Sequence, residues 1–110
     1  MPKRTSDYRA WLLQKLADPR AAAGYLNAAI KDSEEAFLTA LRNVAEAHRI
    51  SKVARQARIS RENLYRALSQ NGNPRLNTLV AVLRVLGLQI AVGERKTPQR
   101  PLPAKSRLQR

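Results

Sequence analysis

The sequence has no cysteine and a single histidine among its 110 residues. Without cysteine the chain has no disulfide, no thiolate metal site and no cysteine nucleophile. One histidine also argues against a histidine-based metal site, and we expect no cofactor. Aromatic residues make up only 5% of the chain, against 44% hydrophobic residues overall. A domain of this length can bury a core, which must consist mainly of Ala, Leu, Val and Ile.

Long apolar runs and acidic residues are also scarce. No apolar run reaches the roughly 18–20 residues that a membrane-spanning helix needs, and no signal-peptide pattern opens the chain. We therefore expect a soluble, cytoplasmic protein. Lys and Arg number 21 against 8 Asp and Glu, a formal net charge of +13. Such a chain attracts polyanions, of which nucleic acid and anionic membrane are the obvious candidates.

Apolar spacing and capping signals predict an all-α fold of five to six short helices. A first helix over about 7–17 follows a cap at Thr5 or Ser6. A second begins after Asp18, the predicted N-cap, with Pro19 in the first helical position.

The third and longest predicted helix begins near Asp32, which has capping-box spacing to Glu35. Its apolar stripe recurs every three or four residues, at Phe37, Leu38, Leu41, Val44 and Ala45. Two short helices follow, about 52–57 with Ser51 as cap and about 61–69 with Ser60 as cap.

The C-terminal part contains a sixth predicted helix, capped by Asn77 and ending at Gly87. The next five residues, Leu88 to Val92, predict a short β-strand because they begin with apolar–polar alternation and include β-branched residues. No second strand is evident, so we expect it to pair with its copy across a dimer. The paired side would include Leu88, Ile90 and Val92. The alternative is an extended segment packed on its own helices.

Residues 93–110 contain three prolines, six Lys or Arg and one acid, which predicts a disordered basic tail. The predicted organisation therefore has three parts. Residues 1–32 form N-terminal helices, 33–92 form the central domain with the strand, and 93–110 form the tail.

The two short central helices have the apolar spacing of a helix-turn-helix. Small Ala54 lets the helices approach, Ile59 fills the corner between them, and Leu64 and Leu68 face the core. An ordinary αα-hairpin shares this spacing, so charge must separate the two. Between residues 49 and 75 seven cations face one acid, Glu62: Arg49, Lys52, Arg55, Arg58, Arg61, Arg66 and Arg75. This excess favours nucleic-acid binding.

The stretches "ISRENLYRALS" and "GNPRLNTLVAVLRVLGLQI" resemble the phage-repressor-type (XRE-like) helix-turn-helix. Within that group they resemble the HigA-like antidote proteins, or antitoxins, of bacterial addiction modules. The segment "DPRAAAGYLNAAIKDSEEAFLTALRNVAEA" also fits that family, so the resemblance covers most of the chain. One position departs from the pattern: Arg58 stands where the turn usually has Gly. A left-handed turn there costs a non-Gly residue on the order of 1 kcal/mol; either the turn differs or Arg58 contacts phosphate.

The resemblance implies that the second short helix enters the major groove with its first turn against the bases. The candidate base-reading residues are Arg61, Glu62, Tyr65 and Arg66. The candidate phosphate contacts are Lys52, Arg55, Arg58, Ser60, Asn71, Asn73 and Arg75. Four of these have simpler alternatives: Glu62 complements the helix dipole, Tyr65 packs beside its helix, Ser60 only caps, and Asn73 only forms the turn.

In function, the resemblance implies a DNA-binding antitoxin of a type II toxin–antitoxin module. It would bind a palindromic operator as a homodimer, repress its own operon and neutralise a RelE/HigB-like toxin. The alternatives are a stand-alone phage-type repressor and a non-specific nucleic-acid-binding module. We expect no membrane partner. We also expect no enzymatic activity, since the single histidine, His48, is explained by its position near a helix C-terminus.

The N-terminal helices exceed what a minimal DNA-binding domain needs. Their large side chains are Tyr8, Trp11, Leu12 and Tyr25, which either complete the core or contact the toxin. For Trp11 we expect core packing.

Overall fold

The computed structural model describes residues 5–95 and contains six α-helices. They are α1 Thr5–Leu16, α2 Pro19–Asp32, α3 Glu34–Ala47, α4 Ile50–Ala57, α5 Arg61–Ala67 and α6 Leu76–Val85. Within residues 5–95 there is no β-strand. The predicted all-helical character is confirmed for this range. Most of the predicted basic tail, residues 96–110, lies outside the described residues.

Helix α3 lies at the centre of the fold. Helices α1, α2 and α4 all contact α3. Helix α4 in turn packs against α5 and α6. Leu41, Val44 and Ala45 of α3 are completely buried. The buried residues form one cluster that runs from Leu16 to Leu86, so the N-terminal helices share a core with α4–α6. The predicted functional division at residue 33 stays a prediction.

The start of α2 follows its local sequence signals. Asp18 has an extended backbone, and its Oδ1 accepts a hydrogen bond from the N–H of Arg20 at 3.2 Å. Pro19 occupies the first helical position, where its missing N–H has no intrahelical partner to lose. The predicted N-cap and first residue of α2 are confirmed.

The start of α3 differs from the prediction. Asp32 is the last residue of α2, and Ser33 is the N-cap of α3. The Ser33 Oγ accepts from the N–H of Ala36 at 2.9 Å, while the Ser33 N–H donates to the carbonyl of Ala29 at 3.1 Å. One extended serine (φ −168°, ψ 166°) therefore ends one helix and begins the next. The capping-box assignment to Asp32 is wrong because Asp32 still belongs to α2 and Ser33 is the residue that caps α3.

Two other predicted caps are also wrong. Helix α4 begins at Ile50 rather than after Ser51, and α6 begins at Leu76 rather than after Asn77. Neither helix has a side-chain hydrogen bond at its N-cap. Ile50 is buried, so packing places the first turn of α4. The first two residues of α6, Leu76 and Asn77, are exposed, where water can satisfy their N–H groups.

Three boundaries are shifted in a similar way. Thr5 and Ser6 lie within α1, which ends at Leu16 rather than at 17. Helix α5 ends at Ala67 rather than at Ser69, because Leu68 is already its C-cap.

Helix α6 is followed, as predicted, by a glycine with a left-handed backbone, two residues after its last residue, Val85. Gly87 has φ 80°, its N–H donates to the carbonyl of Arg84 at 3.0 Å, and the Leu88 N–H donates to Leu83 at 2.8 Å. These two bonds are the Schellman pattern, which favours glycine at this position.

Beyond Gly87, residues 88–95 have no regular secondary structure. Ile90 is 49% and Val92 is 96% exposed. The predicted strand is therefore not formed in the single chain. A strand that pairs across a two-fold axis requires a second copy, so the pairing of Leu88, Ile90 and Val92 stays a prediction.

The aromatic residues of α1 lie on the surface. Trp11 is 39% and Tyr8 is 47% exposed, and their ring centroids are 5.7 Å apart. The predicted core packing of Trp11 is therefore wrong. The ring of Trp11 packs against the ring of Tyr8 instead. Leu12 and Tyr25 do pack against the core.

Candidate nucleic-acid interface

Helices α4 and α5 are joined by a short turn centred on a left-handed arginine. Arg58 has φ 62° and ψ 45°. Its N–H donates to the carbonyl of Arg55 at 3.1 Å, and the N–H of Ile59 donates to Ala54 at 3.0 Å. This is the same bonding pattern that glycine supports at the end of α6. The sequence left open whether this turn differs from the usual left-handed one. It does not differ, and Arg58 adopts the left-handed conformation.

The apolar residues of the α4–α5 pair lie where the spacing predicts. Ala54, Leu64 and Leu68 are buried, at 2% exposure or less. Ile59 is half-buried and packs against the core from the turn. These contacts fix the angle between the two helices and leave their charged residues outside.

The charged residues of this segment are exposed and uncompensated. Within residues 5–95, none of the seven cations between 49 and 75 forms an ion pair with an acidic side chain. The ion pairs of the described chain join Glu46 to Arg9 and to Arg42 instead. All seven cations are exposed: Arg49, Lys52, Arg55, Arg58, Arg61, Arg66 and Arg75. Their positive charge is available to an anionic partner.

The first turn of α5 presents two exposed charged residues, Arg61 and Glu62. Ser60 caps this helix, as predicted, by accepting from the N–H of Asn63 at 3.0 Å. Arg66 is exposed one turn later, and its Nη1 lies 3.4 Å from the side-chain oxygen of Asn63. Ser60 is itself exposed, so its cap role leaves the hydroxyl at the surface.

The loop after α5 turns back sharply onto the end of that helix. The Gly72 N–H donates to the carbonyl of Ser69 at 2.8 Å. A Cβ at Gly72 would lie 2.1 Å from the carbonyl oxygen of Ala67, so only glycine fits. Three exposed residues of this loop are candidate phosphate contacts: Asn71, Asn73 and Arg75.

Tyr65 differs from the other candidate residues because it is half-buried and packs against the core. Two guanidinium groups lie over its ring: that of Arg61 at 5.6 Å from the centroid and that of Arg42 at 5.1 Å. Arg42 was missed by the sequence reasoning. It lies on α3, outside the charge-rich stretch, and no local signal in the sequence relates it to α5.

A family of proteins described as probable addiction module antidote proteins matches residues 9–94 of this sequence. That range contains all of α2–α6 and most of α1. The chain belongs to this family.

The chain is also similar to an uncharacterised protein of Haemophilus influenzae. It is 46% identical over 69 residues, which cover 62% of this chain and 71% of the relative. No solved structure matches the chain.

The described residues also bear on metal ligands, membrane-spanning helices and the single histidine. Within the described range there is no group of three potential metal ligands. No helix among residues 5–95 is long and apolar enough to span a membrane. His48 is the C-cap residue of α3, consistent with the helix-end position inferred for it.

The left-handed Arg58 leads to a stability prediction. Arg58→Gly should raise the free energy of unfolding by up to about 1 kcal/mol, because glycine removes the Cβ strain of this conformation. The greater freedom of glycine in the unfolded chain offsets part of this gain. Urea unfolding at a fixed protein concentration measures the difference.

The matched control is Arg55→Gly, one turn earlier within α4. There the same replacement should destabilise by about 1 kcal/mol, because the backbone is helical. If Arg58→Gly is also destabilising, Arg58 makes contacts that outweigh its backbone strain.

Proposed function

We propose that this chain is the DNA-binding antitoxin of a type II toxin–antitoxin module. In this proposal it represses its own operon by binding a palindromic operator as a homodimer, and it neutralises a RelE/HigB-like toxin. Membership of the antidote family supports the antitoxin role. The DNA-binding role rests on one observation, which is the α4–α5 pair with its exposed, unpaired cations.

The α4–α5 pair is proposed to be an XRE-like helix-turn-helix, with α5 as the recognition helix. A tight turn at Arg58 and a buried Leu64 hold α5 against the core with its charged side outward. In helix-turn-helix proteins the first turn of the second helix contacts base edges in the major groove. Arg61 and Glu62 occupy that turn, and Arg can donate two hydrogen bonds to guanine while Glu accepts from cytosine.

The remaining cations are proposed to contact phosphates on either side of the recognition helix. Lys52 and Arg55 are exposed on α4, which would cross the backbone. Arg58 and Ser60 lie in the turn, while Asn71, Asn73 and Arg75 lie in the loop that follows α5. Such contacts set position and affinity and carry no sequence information of their own.

The toxin-binding role is proposed for the N-terminal helices. Helix α1 presents the exposed rings of Tyr8 and Trp11. Tyr and Trp are common anchors of protein–protein interfaces because they bury a large area at low entropy cost. The toxin would then occupy a surface separate from α5.

The direct test of DNA reading is Arg61→Ala. It should weaken operator binding by about 1–3 kcal/mol and relax the preference at one base pair in each half-site. Fluorescence anisotropy on duplexes from the region upstream of the gene, with each position changed in turn, measures both. Arg20→Ala is the matched control, since Arg20 is an exposed arginine on α2, outside the α4–α5 segment. Equal losses on operator and random DNA would refute base reading by Arg61.

Two alternatives make different predictions. A non-specific nucleic-acid-binding module would bind all duplexes alike, with a steep salt dependence. A stand-alone repressor would bind a palindrome but have no toxin. Expression of the small reading frame next to this gene, with and without this chain, separates the last case: growth arrest relieved by the chain supports the antitoxin role. No arrest, or arrest that the chain leaves unrelieved, contradicts it.

A further inference from the structure

Tyr65 is held as a fixed ring between two helices. It belongs to α5, is half-buried and packs against the core. The guanidinium of Arg61, from the first turn of the same helix, lies 5.6 Å from the ring centroid. The guanidinium of Arg42, from α3, lies 5.1 Å from it. Both distances are within the range of cation–π attraction.

Arg42 is also held from its α3 side. Its Nε lies 3.6 Å from Oε2 of Glu46, one turn further along α3. The other oxygen of Glu46 accepts from Arg9 of α1, and Arg9 donates from Nη1 to Asn43 at 3.1 Å. These contacts tie Arg42, through Glu46, to the packed surface between α1 and α3.

The charges around the ring do not balance. Glu46 is shared between Arg9 and Arg42, so two cations face one acid, and Arg61 has no acidic partner among the described residues. Two guanidinium groups on one ring repel each other, and a nearby anion relieves that repulsion. An arginine stacked on an aromatic face also keeps its edge N–H donors free for a phosphate or a base.

We propose that Arg42, Tyr65 and Arg61 form one DNA-contacting unit. Arg42 is a further phosphate contact, contributed by α3. Tyr65 is a positioning residue that holds Arg61 for base reading and touches no base itself. This inference rests on the proposed DNA-binding function, and it extends the interface beyond the α4–α5 segment.

Binding to operator and random duplexes over a range of salt concentrations tests Arg42. Arg42→Gln should weaken binding to both duplexes by a similar factor and reduce the slope of log affinity against log salt by about one. Arg20→Gln, the control on α2, should leave the slope unchanged. An unchanged slope in Arg42→Gln overturns the phosphate contact.

Operator variants changed one base pair at a time test Tyr65. Tyr65→Leu removes the ring and should relax preference at the base pair that Arg61→Ala relaxes, and the double variant should discriminate no worse than Arg61→Ala alone. Tyr65→Phe keeps the ring and should retain wild-type discrimination. If Tyr65→Leu relaxes a different base pair, or if Tyr65→Phe also loses discrimination, Tyr65 reads a base and the positioning role is wrong.

A measurement without DNA separates this inference from the proposed function. The side-chain Nε–H signals of Arg42 and Arg61 should show ring-current shifts in wild type and in Tyr65→Phe, and lose them in Tyr65→Leu. Specific DNA binding without these shifts overturns the unit alone. If the shifts are present but the protein binds operator and random DNA alike, operator-specific binding is overturned, and the positioning role of Tyr65 with it. Thermal unfolding of Tyr65→Leu confirms that the variant is folded when these signals are recorded.

Discussion

Leu64→Ala should lower the free energy of unfolding by about 2–5 kcal/mol, because it leaves a cavity beneath α5. Leu64 is completely buried. Helix α5 has only seven residues, and an isolated helix of that length is unstable in water. Its position on the core depends on two fully buried leucines. These are Leu64 within the helix and Leu68 at its C-cap. Loss of one should therefore displace the helix as well as weaken the fold.

Urea unfolding measures this effect, with all variants at one protein concentration in case the chain associates. Glu62→Ala is the control on the same helix; its side chain is exposed, and the change should be within about 0.5 kcal/mol. A loss below about 1 kcal/mol for Leu64→Ala would show that α5 is not anchored through this residue.

Local signals in the sequence predicted those helix ends that are set by the capping residues beside them. The start of α2 at Asp18 and Pro19, the cap of α5 at Ser60 and the end of α6 at Gly87 each depend on a few neighbouring residues. The starts of α4 and α6 do not. Helix α4 begins at Ile50 because that side chain is buried, and burial depends on the whole fold. No local capping pattern marks either position.

The same distinction applies to the candidate site. The buried Leu64 follows from apolar spacing along one segment, and the sequence predicted it. The sequence left open whether the turn at Arg58 is left-handed, because glycine is absent there. The contact of Arg42 with Tyr65 joins α3 to α5. No pattern in the sequence indicates that these two helices meet at this point. The prediction that Trp11 packs in the core was also wrong, since helical spacing alone does not say which side of α1 faces α3.

Ile90→Pro should convert the proposed dimer to a monomer. Among the described residues, 89–95 make no backbone hydrogen bond to the rest of the chain, so their N–H and C=O groups are available for pairing. The exposed side chains of Ile90 and Val92 would become buried against a second copy. Proline removes one N–H donor from such a ladder and does not fit its centre.

A monomer would present one recognition helix in place of two. Its operator affinity should then fall toward the non-specific level, a loss of roughly a thousand-fold or more. Toxin binding should persist if the N-terminal helices form the toxin surface. Sedimentation at micromolar concentration gives the oligomeric state, and fluorescence anisotropy gives the operator affinity.

Two controls decide whether the ladder is responsible. Ile90→Val keeps the N–H and the β-branch and should remain dimeric. Glu94→Pro places the same proline beyond the predicted strand and should also remain dimeric. If Ile90→Pro still forms a dimer, dimerisation involves another surface, such as α6. If Glu94→Pro dissociates as well, pairing extends past Val92, and the strand is longer than the sequence predicted.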